Sequence, residues 1–143
     1  QQPRDIKQAP DAARGWGRAS VAADYAYDTP HLLGTMRTGP DLFNIGARQP
    51  SKDWHLGHLY QPRAYTPGSI MPPYQYLFTV RKGLALPGET VITLPPAFAK
   101  VGEVVIAKPE ALALVDYLIG LDHTYTPLAA LPDAAAANTK AKP

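Results

Sequence analysis

At 143 residues the chain has the length of one domain and enough material to bury a real core. Hydrophobic residues make up 45% and charged residues 18%, which excludes a disordered polymer, and a formal charge of +2 without a Lys/Arg cluster argues against a nucleic-acid partner. The chain has no cysteine, so disulfides, thiolate metal sites, cysteine nucleophiles and attachment of any cofactor through its own thiols are excluded.

Sixteen prolines and eleven glycines predict short elements joined by long, shaped loops. No apolar run approaches the roughly 20 residues of a membrane span, and no signal peptide is present. Gln1 is not an initiator residue, so the expectation is a chain processed, truncated or incompletely recorded at its start. A short helix is expected around Ala19 to Tyr25, and Thr38 to Arg48 (TGPDLFNIGAR) has the glycine and proline of a structured loop. Ser51 is a good N-cap for a helix from Lys52 to about Tyr60, which Pro62 stops. The stretch Tyr65 to Tyr74 (YTPGSIMPPY) holds a defined non-helical path through its three prolines. Gln75 to Arg81 reads as one helical turn or a short strand, and Thr90 to Leu94 with Glu103 to Ala107 as a small hairpin. Pro109 to Leu121 is the clearest helix, with proline at its first position, Glu110 in its first turn, and Leu112, Val115, Leu118 and Ile119 at helical spacing. Beyond Thr126 the sequence becomes an Ala/Pro low-complexity tail.

Three segments in this order, TGPDL, then a helix leading to PGSIMPPY, then a C-terminal amphipathic helix with a Tyr-Leu pair, resemble the distal half of a class I c-type cytochrome domain. The stretch Tyr27 to Leu77 narrows the resemblance to the mono-haem cytochrome c subunit II of cbb-type haem–copper oxidases; the likeness covers about Gln1 to Asp122. It implies a mainly α, cytochrome-c-like helical domain over residues 1–126, with long loops and a small β-hairpin insertion between the Met71 loop and the last helix, then the tail at 127–143. Met71 matches the family's distal haem-iron ligand, a neutral thioether that favours reduced iron. Pro72 and Pro73 would stiffen the loop that presents it. Pro40 matches the proline whose carbonyl accepts a hydrogen bond from the proximal histidine, and Leu42 an apolar residue on the haem face. Arg48, Trp54 and Tyr74 are candidates for propionate or haem-edge contacts. The family's C-x-x-C-H attachment motif is absent, and Gln1-Gln2-Pro3-Arg4 resembles the stretch that follows it. Haem c is the implied cofactor, with its proximal histidine and cysteines supplied from outside this chain.

The resemblance implies an electron-transfer subunit rather than a catalyst by itself. Its place would be the periplasm or the outer face of the inner membrane, where it takes electrons from a donor cytochrome or cupredoxin and passes them to a membrane oxidase or another respiratory complex. A haem-free docking subunit is the alternative. An independent enzyme finds no support: no G-x-S-x-G, no H-E-x-x-H, no phosphate-binding glycine loop and no paired carboxylates occur, and Asp41, Asp53 and Asp116 read as ordinary solvated aspartates. His55 and His58 could reach one metal, although a packed helix face is the better reading without a third ligand. Met36 reads as packing, His31 as a loop residue and His123 as a C-terminal cap or a solvated side chain. The tyrosines at 25, 27, 60, 65, 74 and 76 suit either an aromatic contact surface or half-buried packing.

Overall fold

The structure, a computed structural model, describes residues 14–30 and 39–124. Gln1 to Arg4, His31, Met36 and the boundary near residue 126 lie outside the described residues, as does the tail.

Each helix begins and ends where local chemistry requires. Helix α1 (Ile45–Arg48) is a single turn cut short before Pro50. Helix α2 (Lys52–Tyr60) starts where the Ser51 hydroxyl accepts the Trp54 amide at 3.2 Å. Its chain leaves the helical region at Gln61, and Pro62 then serves as the first residue of the short helix α3 (Pro62–Tyr65). Helix α4 (Pro109–Gly120) also opens on proline, with Glu110 in its first turn. The expected helix near Ala19 appears as a 3-10 turn over Ala22–Tyr25.

A three-stranded antiparallel sheet stands beside these helices, in the order β1-β3-β2. A 3-10 turn over Gln75–Leu77 leads directly into β1 (Phe78–Lys82), so both readings of that segment are realised. Strands β2 (Val91–Ile92) and β3 (Glu103–Ala107) pair as the expected hairpin, and β1 pairs along the other edge of β3. The fold is therefore α+β over the described residues, which corrects the mainly α expectation. Two causes act together. Prolines and their neighbours confine α1 and α3 to one turn each, while β1 and β3 find each other across a long connection and supply Phe78, Val105 and Ala107 to the core.

Register explains the core. Phe78 opposes Ala107 and Ile92 opposes Val105, so these four share one sheet face. That face packs on Leu56 and Leu59 of α2 and on Ala111 and Val115 of α4, all buried. Each large apolar side chain so removed from water contributes about 1.5–3 kcal/mol. The α4 stripe is narrower than the spacing suggested: Val115 is fully buried, whereas Leu112, Leu118 and Ile119 are half-buried.

Helix α1 docks on the end of α4 through Gly46, where any Cβ would overlap the Ile119 carbonyl. The same glycine donates its N–H to Leu121 O at 3.0 Å. An exposed Lys52–Asp116 ion pair spans α2 and α4, where solvent screening leaves it worth under about 1 kcal/mol.

Candidate functional site

Met71 sits in a strap anchored at both ends. On one side Gly68, at φ +78°, turns the chain, and Ser69 donates its N–H to Thr66 O and accepts Arg63 Nε on its carbonyl at 3.2 Å. The Ser69 hydroxyl then accepts the Met71 amide at 3.2 Å. On the other side the Tyr74 amide donates to Leu59 O, at the end of α2, at 2.8 Å. Pro72 and Pro73 between these anchors are exposed and limit the backbone further. The Met71 side chain is half-buried and packs on the main core together with Tyr60 and Tyr74. A soft thioether is thus held in place with one flank against the core. Ile70 and Tyr76, beside it, are exposed.

The segment from Pro40 to Arg48 forms a second constellation, organised by Asp41 rather than by the predicted residues. The Asp41 carboxylate accepts the Ser20 amide at 3.2 Å, the Ser20 hydroxyl at 2.9 Å and the Phe43 amide at 3.1 Å. Arg48 Nη2 donates to the Asp41 carbonyl at 2.9 Å, which puts this guanidinium on the loop that carries Pro40. Leu42 is half-buried and Pro40 exposed. Asn44, 2% exposed, lies next in the chain. Its Nδ2 donates to Arg18 O and its Oδ1 accepts the His123 amide, the latter at 3.0 Å. His123 stacks on Phe43 with ring centroids 3.9 Å apart and donates from Nδ1 to Phe43 O at 2.6 Å, so it is neither a helix cap nor a solvated side chain. The Arg18 guanidinium also lies over the Phe43 ring, and its ion pair with Asp24 holds that carboxyl below the usual carboxylate range. Asn44 and Ser20 carried no sequence signal, because their partners lie about 20 to 80 residues away in the chain, and of the partners of Asp41 only Phe43 is local.

Trp54 belongs to a third group on α2. It stacks on His58 at 4.4 Å and meets His55 and Tyr65 edge to face. His55 is buried and donates from Nε2 to Gln49 O at 2.8 Å. Burial lowers the pKa of both histidines, which favours the neutral rings. Tyr65 crosses over Gly57 and donates to Thr93 O at 2.9 Å, binding α2 to the chain just beyond β2. These histidines are packing and hydrogen-bonding elements.

The structure therefore brings Met71 and Tyr74 together, Pro40, Leu42 and Arg48 together, and leaves Trp54 with the histidines. No hydrogen bond, ion pair or ring contact joins the three groups among the described residues. As a donor to haem iron the strap would supply one ligand, a half-buried thioether on a stiffened loop. The described residues contain no group of three His, Cys, Asp or Glu side chains able to hold a metal ion, and the chain offers no thiol for covalent attachment.

A family model described as cytochrome c oxidase, mono-heme subunit/FixO, matches residues 3–93. The match takes in the Asp41 loop, α2 and the whole Met71 strap, and ends just past β2. Neither the curated proteins nor the solved structures give a match.

Proposed function

The chain belongs to the FixO family of mono-haem cytochrome c oxidase subunits, and on that premise we propose that its Met71 would hold a haem through its thioether, in a subunit that takes electrons from a periplasmic donor and passes them to the oxidase. Membership makes it a subunit of a cbb-type oxidase complex, membrane-associated and engaged in electron transfer. No helix among the described residues is long and apolar enough to cross a membrane.

The observation that carries the proposal is the Met71 strap, tied to α3 through Ser69 and to α2 through Tyr74. Haem, when bound, supplies the one-electron ferric/ferrous couple. This chain's part is to hold the sulfur against the hydrophobic core, so that its entropy is already restricted and water is kept from one flank. The Asp41 hydrogen bonds and the Arg48 contact fix the backbone beside Pro40, whose carbonyl would receive the N–H of a proximal histidine. A c-type attachment would draw its thiols from outside these 143 residues, which contain no cysteine.

The test is the visible spectrum and intact mass of the natively purified subunit. The expected result is a ferrous α-band, with a charge-transfer absorption of thioether-ligated ferric haem that disappears in Met71→Ala while the far-ultraviolet circular dichroism is unchanged. A colourless native protein would overturn the proposal and leave the haem-free docking subunit as the reading. A spectrum indifferent to Met71→Ala would remove Met71 from the ligand set.

A further inference from the structure

The end of the sheet where β1 stops carries a surface for which electron transfer through Met71 has no use. Lys82, the last residue of β1, opposes Glu103, the first of β3, so the 83–90 and 93–102 connections both depart from this end. The Gly83 amide donates to Gly102 O at 3.0 Å and ties the two together. Residues 83–88 read GLALPG and residues 94–99 read LPPAFA, twelve positions without one polar side chain. Leu94 packs against the core, but the outer residues do not fold inward: Leu84 is 88% exposed, Leu86 58% and Phe98 40%, and Val101 is fully exposed. Single exposed aliphatics are ordinary, but two adjoining apolar loops at one tip form a patch that marks an interaction site.

The charge around the patch points to its partner. Both Glu89 oxygens are taken by Arg81, at 3.0 and 2.7 Å, and Glu103 lies 3.9 Å from Lys100 Nζ. Lys82 has no carboxylate partner among the described residues, which leaves the rim cationic. We propose that this tip seats on an anionic lipid surface, with Leu84 and Val101 entering the headgroup–acyl boundary and Lys82 meeting lipid phosphates. A stable protein interface needs roughly 800 Å² on each partner and large aromatic or Arg anchors. The most exposed residues of this narrow glycine-bounded tip, Leu84 and Val101, are aliphatic and lie beside Lys82, which matches shallow insertion instead, with the lysine stem lying along the apolar surface. The inference shares with the preceding reading only the membrane-associated family, and Met71 and haem take no part in it.

The experiment is flotation of the chain with phosphatidylcholine vesicles containing about one-third phosphatidylglycerol, against vesicles of phosphatidylcholine alone. The wild-type chain should float with the anionic vesicles, and the Leu84→Ser/Val101→Ser double variant should lose about tenfold or more of that partition at an unchanged melting temperature. Lys82→Glu should weaken binding, and raised salt should weaken it as well. A Leu84→Trp variant should show blue-shifted emission on adding anionic vesicles. Failure of the wild-type chain to float, or equal flotation of the double variant, overturns the proposal. So does a concentration-dependent dimer in light scattering that Leu84→Ser abolishes, since a second copy would then cover the tip. None of these readouts depends on haem, so a colourless protein that still floats separates this inference from the electron-transfer reading.

Discussion

Replacing Gly46 by alanine tests the docking of α1 against α4. The added methyl would overlap Ile119 O and lie 2.8 Å from Ile119 C and 3.2 Å from Leu121 O. These are backbone atoms near the helix end, with no side chain to rotate away, so α1 must move outward. Overpacking of this kind costs about 1–3 kcal/mol. The displacement also breaks the 3.0 Å bond from the Gly46 amide to Leu121 O, worth about 1 kcal/mol. Alanine returns about 1 kcal/mol through its higher helix propensity. The net loss is about 1–3 kcal/mol, or roughly 4–12 °C in Tm for a domain of this size. Gly120, the last residue of α4, has open space where a Cβ would stand, with nothing within 4 Å, and serves as the control. Gly120→Ala should be neutral or stabilising by at most about 1 kcal/mol. Urea denaturation followed by circular dichroism measures both variants. A Gly46→Ala protein as stable as wild type would refute the close backbone approach.

The buried His55 and the half-buried His58 of α2 give stability a pH dependence. Burial depresses the pKa of His55 and of His58 below 6.5, so near that pH the unfolded chain takes up protons that the folded rings refuse. The contribution is complete above about pH 6.5 and is lost as pH falls below it; urea midpoints between about pH 7.5 and about pH 5 should decline, and His55→Gln should flatten the decline. Flat midpoints in the wild-type chain would contradict the burial of these rings. Asn44→Ala removes a buried side chain that bonds the Arg18 carbonyl and the His123 amide and should cost about 2–4 kcal/mol, with faster hydrogen exchange at His123; a cost under about 1 kcal/mol would show that water replaces the side chain.

What the sequence determined by itself is what short-range chemistry controls. The bounds of α2 follow from Ser51 and from the break at Gln61 before Pro62, and those of α4 from Pro109 and its apolar spacing, because caps and proline act within one turn. The β2–β3 pairing was legible from β-branched residues, and the family from TGPDL and PGSIMPPY, whose residues lie inside the matched span. The fold class was not legible. Whether Phe78–Lys82 joins the sheet depends on Val105 and Ala107, more than twenty residues on, and no local propensity encodes the order β1-β3-β2. The site divided in the same way. Met71 was visible as a soft donor in a proline-stiffened loop, but its anchoring through Ser69, Arg63 and Leu59 is a matter of tertiary approach. Asp41 read as a solvated loop carboxylate and became the acceptor that joins Ser20 to the Pro40 loop, while Arg48 was spent on the Asp41 carbonyl. Those assignments belong to the folded chain alone, because a hydrogen bond is chosen by which polar groups the fold brings within 3 Å and leaves without water.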